Sequence, residues 1–311
     1  MAVSADKQQK PFAVLAGAVF NKKNTPYFLL LPAFIYYAVF WVAPILAGVK
    51  EVFTDYNGAF DPLFSIKLIL QNDPLFGSAF VNTVIFAAVS VVIQYFVALM
   101  LAVLLNKRFP GSRFMMFMTM IPMAVPPTVV AILWKTGLID TGWINHVAMS
   151  FHILREPVTF LSARGFDGVL LLILIDTWTV MPSVMIILIA GLQNMQKEYS
   201  EAAYIFGANR WRILIDVTLP LLKPSIITSV ILRMIAAVQV WSIAVMVMGF
   251  NAVPFLVERV AFFQQIGYGY EYARKLTYTY SLITTALVLL ATFIYFSAAK
   301  KKTAFDGATQ K

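Results

Sequence analysis

The sequence contains no cysteine and only two histidines in 311 residues. Without thiols it has no disulfides and no thiolate-held metals, and cysteine usage says nothing about redox compartment. His146 and His152 lie six apart with no carboxylate at ligand spacing, so no metal site is expected. Charge is also scarce. Asp, Glu, Lys and Arg make up 13% of the chain, against about 25% in soluble domains. A water-facing globule of this length would be short of polar surface. No GxxxxGK[ST] loop is present, so the chain does not cradle ATP phosphates in the usual way. No nucleophile–base constellation stands out, and no catalytic residue is expected.

What the chain has instead is apolar length, with 60% hydrophobic residues. Six runs, 27–49, 80–105, 114–134, 168–192, 225–249 and 278–299, reach or pass the roughly 20 residues that cross a bilayer core. The expected fold class is therefore an all-α polytopic membrane protein with six transmembrane helices. A barrel would show polarity alternating over about ten residues per strand. Lipid surrounds such a protein, and no convincing internal repeat supports a secondary carrier built from inverted repeats.

The formal charge of +9 raises a nucleic-acid partner, which the distribution of that charge excludes. With the N-terminus inside, 15 of the 24 Lys and Arg fall on the cytoplasmic side, 8 fall outside, and Arg233 stays within a span. That bias predicts both termini in the cytoplasm and a multi-pass protein of the cell membrane. The expected organisation is a cytoplasmic or interfacial segment 1–26, a membrane domain 27–299, and a basic tail 300–311. The apolar stretch 11–20 is short and is followed by Lys22 and Lys23 instead of a small-residue cleavage site. An interfacial helix is expected there, not a signal peptide. The outer loops 50–79, 135–167 and 250–277 have no room for a separate folded domain.

Prolines interrupt several spans: Pro32 and Pro44 in the first, Pro122, Pro126 and Pro127 in the third, Pro182 in the fourth. Each removes a helical hydrogen bond and favours a kink. Such kinks are tolerated where neighbours satisfy the freed carbonyl, or they line a cavity that opens and closes.

The long cytoplasmic loop, about 193–224, carries punctuation that lipid-buried sequence does not need. A short helix is expected over 195–206, a turn at Gly207, and a second helix over 209–219 with Asn209 as N-cap and Pro220 at its end. Ala202 and Ala203 offer a small, smooth face. Arg210 and Arg212 can grip carboxylates or carbonyls. Trp211, Leu214, Ile215 and Val217 supply an apolar side for packing on the membrane domain. Generic features alone also fit an amphipathic helix resting on the inner leaflet.

The spacing goes further. Glu201-Ala202-Ala203, three residues, Gly207, nine residues, then Val217-x-Leu219-Pro220 resembles the EAA loop of binding-protein-dependent ABC importer permeases. Asn82-Thr83 at the second span, IPMAVPPTVVAILWKTGLIDTGWIN, LIAGLQNMQKEYSEAA and AAVQVWSIAVMVMG extend the likeness along most of the chain. The last of these is similar to the carbohydrate-uptake subgroup, with its maltose-permease-first-subunit and glycerol-phosphate-permease-like members. Phe206 departs from the pattern, since relatives often place Asp before the loop glycine. The resemblance implies a type I importer fold and a coupling loop formed by Glu201, Ala202, Ala203, Gly207, Ala208, Arg210, Arg212, Leu219 and Pro220. It also implies a second homologous permease, two cytoplasmic ATPase subunits holding ATP and Mg, and an extracytoplasmic binding protein. No cofactor is implied in this chain.

Polar residues within spans are costly and therefore informative. They are Gln94, Asp176, Arg233 and Gln239, with Tyr95, Trp178 and Trp241 beside them. Amides and a carboxylate near aromatic rings suit a sugar, whose hydroxyls need partners and whose C–H faces stack on rings. They equally suit hydrogen bonding between helices. For Arg233 the expected role is a structural pairing with Asp176 or with helix-end carbonyls. The cargo is expected to be a carbohydrate. Glycerol phosphate or a polyamine on the same machinery stays open, as do a stand-alone carrier and a membrane enzyme, which would leave the EAA spacing unexplained.

Overall fold

The structure is a computed structural model that describes residues 25–107, 109–265 and 269–308. The stretch 11–20, the basic residues of segment 1–24, Arg108 and Lys311 lie outside the described residues. The chain divides into two compact units, residues 1–65 and 66–311. Apart from one isolated antiparallel bridge between Thr54 and Phe60, the described residues form helices and connecting turns.

In the first unit, α1 (Thr25–Tyr37) passes through a π turn (Ala38–Val42) into α2 (Ala43–Val52). Together residues Pro26–Val52 are long and apolar enough to cross a membrane. The π turn has a local cause. Pro44 has no N–H, and its ring would clash with the carbonyl four residues back. The residue before it, Ala43, donates instead to Ala38 O, five residues back, which widens the turn and moves that carbonyl aside. The loop that follows is tied down by Asp55, whose Oδ1 accepts the Asn57 and Ala59 N–H groups at 2.9 and 2.7 Å. Ser65 Oγ donates to Val52 O at 2.6 Å.

α3 (Phe64–Asn72) leads into the second unit. Two long helices form its centre: α4 (Phe76–Asn106) before a bent pair, and α8 (Gly165–Gln193) after it. The bent pair is α5 (Ser112–Ala124) and α6 (Pro127–Leu138), which meet at 97°. The run 114–134 is therefore not one straight span. Residues preceding proline are driven out of the helical region, and both Val125 and Pro126 are extended, with ψ of 131° and 141°. α7 (Trp143–Ser150) lies between the pair and α8.

After α8 come α9 (Lys197–Ile205) and α10 (Arg210–Ile213), a π turn (Leu214–Thr218) and α11 (Leu219–Val238). Pro220 does not end the helix as its position suggests. Leu219, just before it, donates to Leu214 O, the same five-residue reach seen before Pro44. The helical run thus continues over Arg210–Val238. The predicted run 225–249 breaks after Val238, where Trp241 adopts φ −158° and ψ −46°, and restarts as α12 (Ser242–Met248). α13 (Leu256–Gln265) and α14 (Ala273–Ala308) complete the chain, and the helical backbone of α14 extends past the predicted span end into the basic 300–308 stretch. Among the described residues five helical runs are long and apolar enough to span, or up to six if the bent pair counts as one.

Three buried clusters hold the second unit. A large one joins α4, α6, α8, α11 and α12 through residues such as Phe86, Ala131, Leu172, Ala237 and Ala244. A second joins α4, α8 and α11 through Ala98, Ala102, Leu188 and Leu222. A third, around Tyr280, joins α3, α4, α13 and α14. Small residues let membrane helices approach closely. At Gly191 on α8, an added Cβ would come within 2.8 Å of Leu222 on α11.

Candidate functional site

The 193–224 loop folds as a helix–glycine–helix element fixed mainly by its own backbone. At the end of α9, Ala208 N–H donates to Ala203 O at 3.0 Å and Gly207 N–H donates to Tyr204 O at 2.9 Å. This pair of bonds is the Schellman closure, which needs a left-handed residue between its arms. Gly207 supplies it, with φ +82°. Asn209 then caps α10, its Oδ1 accepting the Arg212 N–H at 2.8 Å, as its position predicts.

Glu201, Ala202, Gly207, Arg210, Arg212 and Pro220 are exposed, whereas Ala203, Ala208 and Leu219 are half-buried. Tyr204, Ile205, Phe206 and Trp211 are 73, 81, 90 and 73% exposed. Trp211 and Ile215 do not pack on the membrane domain as their amphipathic placement suggests. Trp211 on the single-turn α10 and Ile215 in the π turn are both exposed, while Leu214 and Val217 are half-buried. The loop therefore presents a preformed knob of apolar and aromatic side chains bordered by Glu201, Arg210 and Arg212. Large apolar side chains exposed together in one short segment are the kind of surface that marks an interaction site.

The intramembrane polar residues separate into two groups. Gln94 on α4, Asp176 on α8 and Arg233 on α11 come together and are 0, 8 and 9% exposed. Gln94 Nε2 donates to Asp176 Oδ2 at 2.7 Å, while Arg233 donates from Nε to Gln94 Oε1 and from Nη2 to Asp176 Oδ2. Their hydrogen-bonding groups point at one another, and of the two structural roles the sequence leaves open for Arg233, Asp176 or helix-end carbonyls, the fold takes the pairing with Asp176. Tyr95 and Trp178 are half-buried beside them, and Trp178 meets Trp134 edge-on at 5.7 Å between ring centres.

Gln239 and Trp241 lie elsewhere, at the break between α11 and α12, with Gln239 exposed and Trp241 half-buried. α12 packs against α6, the second half of the bent pair. Two interrupted helices thus meet. Irregular backbone at membrane depth is tolerated where it is buried in protein or lines a water-filled cavity.

A further polar cluster had no signal in the sequence. Arg259 on α13 donates from Nε to Asp73 Oδ2 at 2.8 Å and from Nη1 to Asn251 Oδ1, and Tyr280 OH donates to the same Asp73 oxygen at 2.6 Å. Its guanidinium lies over the rings of Phe262 and Phe263, 4.3 and 4.9 Å from their centres. Nearby, Asn82 Nδ2 donates to Pro254 O, and Thr83 Oγ1 accepts the Leu256 N–H, each at 3.0 Å. Asn82-Thr83, noted in the sequence only as a likeness, anchors the loop that enters α13.

Residues 94–301 match the family described as binding-protein-dependent transport system inner membrane component. The lactose transport system permease protein of Rhizobium radiobacter is 34% identical over 215 residues, 68% of this chain and 71% of that one. The trehalose/maltose transport system permease protein of Thermococcus litoralis is 28% identical over 236 residues, 74% of this chain and 79% of that one. Among solved structures, a chain of a bacterial alginate ABC transporter, in complex with an alginate pentasaccharide-bound periplasmic protein, shares the fold. Its TM-score is 0.78 at 17% identity, over 92% of this chain and 98% of that chain.

Proposed function

The chain belongs to the family of binding-protein-dependent transport system inner membrane components, and we propose that it is the permease subunit of an ATP-driven importer for a carbohydrate. Its partners in this reading are a second homologous permease, two cytoplasmic ATPases that bind ATP and Mg, and an extracytoplasmic binding protein that delivers the cargo. The bent pair α5–α6 counts as one of six spans, and both termini face the cytoplasm.

The observation that carries the proposal is the exposed knob of the 193–224 loop. Its conformation is set by internal hydrogen bonds, so it can enter a cleft without first folding. Tyr204, Ile205, Phe206 and Trp211 supply desolvation energy, and Glu201 supplies a charge for a basic residue of the partner. ATP binding shifts the ATPases between two arrangements, and an attached knob shifts the permease with them because it has different contacts in each. The carbohydrate reading draws on the relatives named for lactose and for trehalose and maltose. It also draws on Gln239 and Trp241, an amide and a ring face at a helix break. Gln94 and Asp176 are held in the buried trio, so the α11–α12 break is the better place for cargo contact.

Glu201→Lys tests this role. The complex is purified with the proteins encoded beside it, and ATP hydrolysis is measured with lactose, maltose or trehalose on the binding protein. The variant is expected to insert in the membrane like the parent while losing stimulated hydrolysis by about tenfold or more. Unchanged stimulation removes Glu201 from the contact, and failure of the parent to retain any ATPase removes the importer reading.

A further inference from the structure

We infer that Gln94, Asp176 and Arg233 form a latch that makes α4, α8 and α11 move as one body when the 193–224 loop is displaced. The inference rests on the proposed attachment of that loop to an ATPase. The three act as positioning residues, without contact to cargo.

The geometry closes a triangle. Each helix contributes one side chain, and each side chain bonds to both of the others. No one of the three helices can slide past the other two without breaking its links to both. The buried clusters that also join these helices are hydrophobic, and apolar packing in lipid has little preference for one register over a neighbouring one, because lipid tails are equally apolar. A buried ionic contact is different: parting Arg233 from Asp176 would leave two uncompensated charges at membrane depth. The latch is therefore either wholly made or unaffordably open, which fixes one register.

The position along the chain supplies the coupling. Arg233 lies on the same helical run, Arg210–Val238, that begins in the exposed knob. A displacement of the knob thus reaches Arg233 through hydrogen-bonded helix, and the trio passes it to α8 and α4. The trio also spends its polar groups internally. Gln94 uses its amide nitrogen and oxygen within the triangle, which leaves it poorly placed to read a sugar hydroxyl.

The test uses the whole complex and no cargo, with Mg-ATP as the probe. Because the chain has no cysteine, thiols introduced in pairs by Val92→Cys on α4, Leu174→Cys on α8 and Leu232→Cys on α11 are the sole thiols of this subunit, at exposed positions, and it is labelled before assembly with the other subunits. Spin-label distances for the pairs 92–232 and 174–232 are measured with and without Mg-ATP. In the otherwise unaltered chain both distances are expected to stay constant. In the variant Gln94→Leu/Asp176→Leu/Arg233→Met, which removes every polar group at once and leaves no orphaned charge, the 92–232 distance is expected to shift by about 2 Å or more on adding nucleotide.

Arg233→Lys gives a second measurement should the triple variant fail to assemble. It keeps the charge for Asp176 but loses the second prong toward Gln94, so the 92–232 pair is expected to move while the 174–232 pair stays. A nucleotide-dependent shift in the unaltered chain overturns the latch. So does constancy of all distances in every variant that assembles. Absence of ATP hydrolysis in the unaltered complex instead overturns the attachment to an ATPase, and the two failures are thereby told apart.

Discussion

Glu258 shows how much a single buried carboxyl can report. One of its oxygens accepts the Asn251 N–H at 3.0 Å, and the other has no hydrogen-bond partner among the described residues. Burial pushes the Glu258 carboxyl above the ordinary carboxylate range, and the Asn251 N–H and the Arg259 charge only partly oppose it. The folded protein therefore holds this proton more tightly than the unfolded chain, whose carboxyl titrates near about 4.3. The ionised form carries a penalty that is fully present above the raised pKa and is relieved as pH falls toward 4.3. Glu258→Gln keeps an acceptor for Asn251 and removes the charge. Thermal unfolding in detergent should then show a flatter pH profile above 4.3 than the parent, with a neutral-pH midpoint no lower. A steeper profile in the variant would contradict this assignment. Asp73 is also buried but has Arg259 Nε at 2.8 Å and the Tyr280 hydroxyl at 2.6 Å, a contrast that only the fold creates.

Among the elements, the two π turns repeat one device. Each lies two residues before a proline, at Pro44 and at Pro220, and in each the residue before the proline donates five residues back. The second sits between the exposed knob and α11, so it sets the angle at which the knob leaves the membrane. One residue of helix corresponds to about 100° of rotation, and a π turn accommodates one residue more per turn than an α-helix. Pro220→Ala permits an ordinary α turn there and should rotate the knob relative to α11. The expected outcome is a complex that still assembles but transports several-fold less per ATP hydrolysed, read in vesicles loaded with the complex. Transport equal to the parent would show that the widened turn is dispensable.

Elements also mark where sequence reasoning reached and stopped. The spans at 80–105 and 168–192 were legible from apolar length alone, and the structure extends each by a few residues at its ends. The bend at Pro126-Pro127 was legible because proline chemistry is local. The break at Gln239–Trp241 was not, because no proline or glycine stands there and α12 is held by packing on α6. Gln94, Asp176 and Arg233 were recognisable as costly in lipid. Their convergence depends on partners up to 139 positions apart. Asp73 and Arg259, 186 apart, read as ordinary polar loop residues until the chain folds. In the 193–224 loop the Schellman glycine and the Asn209 cap were legible as short-range signals. The exposure of Trp211 was not, since an amphipathic pattern does not say which surface covers it.

At the scale of the molecule, the charge distribution makes a checkable statement about orientation. In the proposed orientation basic residues concentrate on the side that holds the knob, the bias from which a cytoplasmic knob is predicted. Single thiols placed by Tyr204→Cys in the knob and by Phe151→Cys in the segment after α7 are both at exposed positions. A membrane-impermeant maleimide added to intact cells should label residue 151 and spare residue 204, and inside-out vesicles should reverse the pattern. Labelling of 204 from outside would invert the topology.

The knob has one more consequence, for the thermodynamics of assembly. A segment that folds only when it binds shows a heat-capacity change larger than its contact area explains, because ordering the chain buries surface of its own. Here Gly207, the paired Schellman bonds and the Asn209 cap complete that ordering within the isolated chain. Association with a partner should therefore register calorimetrically as the docking of two finished surfaces, with a heat-capacity change set by the area covered at Tyr204, Ile205, Phe206 and Trp211 and no folding contribution added to it.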